Sequence, residues 1–174
     1  MPAKDANKAK QKEVKVVETK SADLALLPVP VARLREKILE AAQSGDIEKL
    51  RSAIEFNEVP PLFEKGTGKR VSFAESIAYL KSRSFDGKGK EWLTILRAIF
   101  EAAYVKEERG PFVSYDWPSF AFAAFPPETD EEKLTLWRCV RFADLAATNA
   151  AARPLVQRAR IGADGTWHYL WAES

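Results

Sequence analysis

Five aromatic residues have the types and spacing to bind a partner: Tyr115 and Trp117 in one stretch, Trp167, Tyr169 and Trp171 in another. Spacing of two puts each group on one side of an extended strand. His168 and Leu170 then fall on the opposite side of the second. Flat rings bury a large area at small entropic cost, so an exposed row of them stacks on sugar, on peptide or on another protein. Turned inward, the same row seals a small sheet against helices. Both readings start from the same five residues, and the difference between them is the face the strands present to the core.

The other reactive side chains point to less chemistry. Cys139 and His168 are the only cysteine and the only histidine. A nucleophilic Cys–His pair needs direct contact and a third group to orient the base. Cys139 sits beside Trp137 and Val140 in a helical pattern and reads as a small buried thiol. One cysteine excludes an internal disulfide framework and a multi-cysteine zinc site, and one histidine excludes a histidine-rich metal centre. Gly66-Thr67-Gly68-Lys69 lacks the glycine spacing and the upstream strand of a phosphate loop. Asp86-Gly87-Lys88-Gly89-Lys90 has one acid and two lysines, a poor calcium loop. Asp130, Glu131 and Glu132 are accounted for by a helix start, where carboxylates meet the dipole. The residues therefore assign no catalytic group, no metal ligand and no cofactor.

Elements that position these residues can be read from capping signals and periodicity. The chain has 174 residues and a formal charge of +2. Residues 1–20 hold six lysines against three acids, and the remainder 21 bases against 22 acids. The near-neutral body gives no support for nucleic-acid binding by the folded domain. Residues 1–22 lack apolar bulk and read as a disordered basic arm; residues 23–174 read as a single globular domain. Helices are expected over Pro30–Ser44, Ile47–Phe56, Ser72–Ser82, Glu91–Val105 and Thr129–Ala143. The fourth is the core helix, with Trp92, Ile95, Leu96, Ile99, Phe100 and Ala103 on one stripe. Leu155–Ile161 and Thr166–Trp171 flank Gly162-Ala163-Asp164-Gly165 and predict a hairpin. Residues 112–117 alternate weakly and can add a third strand. The expected fold is α+β and helix-predominant: about five helices with a small C-terminal antiparallel β-hairpin or three-stranded sheet. No apolar run is long enough to span a membrane.

Arg160-Ile161-Gly162, followed by Asp164-Gly165-Thr166-Trp167-His168-Tyr169-Leu170, resembles the closing motif of an uncharacterised family of small alphaproteobacterial proteins. Further matches run in order. They are Leu39–Ala42 with Ser44-Gly45-Asp46, then Glu55–Pro61, Trp117-Pro118 and Trp137-Arg138. Family members are often exported and have no established activity. The resemblance thus implies a periplasmic location where an export signal has been removed, and a cytoplasmic one otherwise. It carries over no catalytic residue.

Three functions follow as expectations. The first is a non-enzymatic binding or scaffolding protein of the bacterial envelope or cytoplasm, with a protein or an envelope glycan on its aromatic surface. The second is a hydrolase-like enzyme acting on envelope sugars or peptides through carboxylates or His168. The third is a complex subunit that docks an acidic partner through the lysine-rich arm. The sequence leaves the oligomeric state open.

Overall fold

A computed structural model describes residues 13–66, 69–146 and 153–173. Five strands form one antiparallel meander in chain order: β1 (Val16–Ser21), β2 (Tyr104–Arg109), β3 (Phe112–Trp117), β4 (Val156–Gly162) and β5 (Trp167–Glu173). Among the described residues six α-helices accompany them: α1 (Val29–Ser44), α2 (Arg51–Glu55), α3 (Phe73–Ser82), α4 (Lys90–Glu101), α5 (Asp130–Arg138) and α6 (Phe142–Leu145). The expected hairpin or three-stranded sheet is therefore too small, and the expected helix count falls short by one.

The two unexpected strands were hidden for different reasons. Tyr104 and Val105 extend the apolar stripe of α4, so the pattern predicts helix to Val105. The helix in fact ends at Glu101, and Ala102 is already extended. Lys106-Glu107-Glu108-Arg109 then show charge where a strand signal needs apolar alternation. β1 lies inside the stretch read as a disordered arm. It is an edge strand, mostly exposed, and pairs with β2 over six residues from Val16↔Arg109 to Ser21↔Tyr104. Its β-branched Val16, Val17 and Thr19 suit a pleated surface, and β2 offers the open ladder. The first half of the expected arm, residues 1–12, lies outside the described residues.

One face of the sheet carries the core. α4 buries Trp92, Leu93, Ile95, Leu96, Ile99 and Phe100, and packs against α1 through Leu34, Ile38 and Ala41. Tyr104, Tyr115, Trp117, Ala159, Ile161, Trp167 and Leu170 join the same cluster from the strands. Phe100 and Tyr104 place their rings 5.2 and 5.3 Å from that of Trp117. Asp86 fixes the start of α4. Its carboxylate accepts from the backbone amides of Lys88, Lys90 and Glu91. The hairpin turn closes onto the helical layer at Gly165, whose φ is +89° and where a Cβ would lie 2.9 Å from the Pro30 side chain.

β5 does not end the sheet with bare backbone. Asn57, itself buried, accepts from Trp167 N–H through Oδ1 at 3.0 Å and donates from Nδ2 to the Trp167 carbonyl at 2.7 Å. Leu62 continues the cover, donating to the His168 carbonyl and accepting from Leu170 N–H. A side-chain amide here stands in for a strand, which removes one open edge.

This gives two expectations. Asn57→Ala strands a buried donor and acceptor on Trp167 and should lower unfolding free energy by about 2–4 kcal/mol in urea titration. Leu96→Ala, in the centre of α4, should cost about 2–5 kcal/mol, whereas Lys90→Ala at its exposed start should be near neutral.

Candidate functional site

The opposite face of the sheet is polar, and Arg160 is its centre. On β4 it stands directly across from Asp116 on β3 and from Tyr169 on β5, so all three side chains share one face. Arg160 Nε donates to Asp116 Oδ1 at 2.8 Å, and Nη2 donates to Glu107 Oε2 at 2.7 Å and to Asp116 Oδ2 at 3.3 Å. The Tyr169 hydroxyl donates to Asp116 Oδ1 at 3.1 Å. Arg109 Nε adds a bond to the second oxygen of Glu107 at 3.1 Å. Two guanidinium groups thus meet two carboxylates across three neighbouring strands, and the Tyr169 hydroxyl joins them from a fourth.

Burial sets the electrostatics. The Asp116 side chain is 1% exposed and that of Arg160 29%. Burial pushes the Asp116 carboxyl above its ordinary range, against Arg160 and the Tyr169 hydroxyl, which hold it down. Burial works against the charge on Arg160 too, but Asp116 and Glu107 outweigh it and hold the guanidinium protonated. The Tyr169 hydroxyl is raised by burial and so stays a donor.

Above this network lies a cavity of about 680 Å³, bordered by Arg70, Arg109, Phe112, Arg160, His168 and Trp171. Trp171 stacks on Tyr169 with ring centroids 3.9 Å apart and planes 8° from parallel. Phe112 is 75% exposed at the opposite rim. Arg70 donates to the neutral carbonyl of Pro60, and no carboxylate pairs with it among the described residues.

The five aromatic residues singled out by spacing are divided by the structure. Tyr115, Trp117 and Trp167 are buried in the core between sheet and helices. Tyr169 and Trp171 face the cleft. Simple alternation would put Trp167, Tyr169 and Trp171 together and pair His168 with Leu170. Instead the register slips: Arg160 faces Tyr169, yet Ile161 faces Trp167. His168 is the extra residue of this bulge and lies at the cleft rim, while Leu170 is in the core. Gly162 makes room for it, since a Cβ there would lie 2.7 Å from His168 Nε2.

Arg160, Asp116, Glu107, Arg109, Phe112 and Arg70 were not singled out by spacing. A signal existed for the first two. Arg158 and Arg160 alternate with Ala159 and Ile161, and Asp116 interrupts an aromatic run. Cys139 is fully buried, and burial pushes its thiol up to about 12, which removes it as a nucleophile. Among the described residues no cluster of three or more His, Cys, Asp or Glu is placed to hold a metal ion. No helix among them is long and apolar enough to cross a membrane. Comparison of the chain with protein-family models, with curated proteins and with solved structures found no match.

His168 reports on this cleft. Partial burial pulls its imidazole below 6.5, against Asp164 and with the help of Arg160 and Arg70. The fold therefore binds the proton less well than the unfolded chain does. Stability from this source is complete above the ordinary imidazole value and is lost as pH falls through the folded one. As the only histidine, it gives an unambiguous NMR titration. Its midpoint should lie below 6.5, move lower in Asp164→Asn and move higher in Arg70→Gln.

Proposed function

We propose that this protein is a binding domain and that the outer-face cleft is its ligand site. The ligand class is a flat apolar group bearing an anion, such as an aromatic or acidic end of a peptide or a glycan. One observation carries the reading: the open cleft joins a stacked Trp171–Tyr169 pair to Arg70, whose charge meets no carboxylate at contact distance among the described residues. The rings supply area at low entropic cost, and the guanidinium supplies orientation. Phe112 closes the far side.

The hydrolase reading has less support. Asp116 and Glu107 are nearly solvent-free and tied to Arg160, whereas a general acid or base must reach its substrate. The third reading, a lysine-rich arm docking an acidic partner, falls largely on residues 1–12, outside the described residues. Of the lysines within them, Lys20 pairs with Glu132 at 3.4 Å. The resemblance to exported alphaproteobacterial proteins belongs to the same proposal and supports an envelope location for the domain.

The test is a fragment titration followed by amide NMR. Aryl carboxylates should shift residues 107–114 and 160–171 together, and aryl ammonium analogues should not. Trp171→Ala and Arg70→Gln should each weaken the response by about tenfold while the thermal midpoint stays within a few degrees. Shifts that cluster elsewhere, or that persist unchanged in both variants, would contradict the assignment.

A further inference from the structure

The two edges of the sheet are treated differently. Asn57 and Leu62 cover β5, but among the described residues no strand, helix or loop bonds to the outer backbone edge of β1. The β1 register runs without a bulge for six residues and contains no proline. Val14, Val16 and Val17 are exposed along it. An open, regular edge rich in β-branched residues is a template for another strand.

The order of charges along this edge selects which strand. We propose that β1 pairs antiparallel with β1 of a second copy, about a two-fold axis at Thr19, to make a continuous ten-stranded sheet. In that register Glu18 stands opposite Lys20 of the second copy. The pair occurs twice by symmetry. Thr19 meets its own counterpart, and Val17 meets Ser21. Neighbouring registers lose this match. Moving the axis to Glu18 sets Glu18 against itself, and moving it to Lys20 sets Lys20 against itself. An axis between Glu18 and Thr19 leaves Glu18 opposite Thr19 and Lys20 opposite Val17. Within Val16–Ser21, whose charges are Glu18 and Lys20, this is the register that sets the two opposite each other, and opposite charges across a ladder favour pairing whereas like charges oppose it.

The intrachain neighbour of Glu18 adds to the case. Within one copy it lies directly opposite Glu107, a like-charge pair. Arg160 and Arg109 already compensate Glu107, and a lysine arriving on the open side of Glu18 pairs with Glu18 itself. Lys20 already lies near Glu132 at 3.4 Å, and its ammonium has donors for both carboxylates. This interface uses the outer backbone edge of β1, whereas the proposed ligand cleft lies over β2 to β5 and contains no β1 residue, so the two proposals stand or fall separately.

Sedimentation of the full chain over a wide concentration range tests the pairing. The wild type should show a reversible species of twice the 19.5 kDa chain mass. Glu18→Lys and Lys20→Glu each turn two attractions into two repulsions and should weaken the dimer by about tenfold or more. The double charge swap restores opposite signs and should recover most of that loss. Both sites are on an edge strand, and circular dichroism checks that the variants fold. Amide exchange of residues 16–21 should also slow as wild-type concentration rises. A chain that stays at 19.5 kDa at the highest concentration overturns the proposal. So does a double swap as weak as the single variants, or edge amides whose exchange ignores concentration.

Discussion

Where β4 passes from Arg160 to Ile161, β5 passes from Tyr169 to Trp167, and the surplus residue between them is His168. That slip lets Trp167 and Tyr169 face opposite sides of the sheet although they are two positions apart in the chain. Trp167 goes to the helices, where it is among the largest fully buried side chains. Tyr169 and Trp171 go to the other side, where they wall the cleft. A bulge leaves backbone groups out of the ladder, so it needs partners from elsewhere. Asn57 supplies them at Trp167, and Leu62 at His168 and Leu170. The turn after α2 and the proline-rich stretch that follows are thus shaped by the needs of the last strand.

The same slip holds the Arg160 network in register. Arg160 can reach Asp116, Glu107 and Tyr169 only while β3, β4 and β5 keep their present pairing. A one-residue shift of any of them would carry charges to the helical side. Burying these ions without partners would be costly, and the described bonds satisfy both carboxylates. The network therefore acts against alternative registers as much as for the native one. It also leaves the cleft with a neutralised floor, so that Arg70 and His168 at the rim govern its response to charged ligands.

Local signals were legible in the sequence where a single element explains its own residues. Ser72 and Thr129 cap α3 and α5 as their spacing to Glu75 and Glu132 predicts, at 3.3 and 3.0 Å. The stripe from Trp92 to Phe100 is buried as its period predicts. The hairpin of β4 and β5 lies where its Asp-Gly turn placed it. Longer-range information was not legible. β2 is charged because Glu107 and Arg109 serve Arg160, which lies about fifty residues later in the chain. β1 is a strand because β2 offers it an edge. The bulge depends on Asn57, 110 residues from Trp167, and no periodicity within β5 announces it. The candidate site was legible for Tyr169 and Trp171, whereas its charged half required the strand pairings.

The division of the two tryptophans of β5 between faces is the central claim, and comparing their truncations in urea unfolding tests it most directly. Unbroken alternation puts Trp167 and Trp171 on the same face and gives them similar costs. The bulge makes them unequal. Trp167→Ala should lose about 3–5 kcal/mol, as for a large core ring. Trp171→Ala, which gives up one stack at a half-open cleft, should lose no more than about 1.5 kcal/mol. Equal losses, or a larger loss at Trp171, would contradict the account.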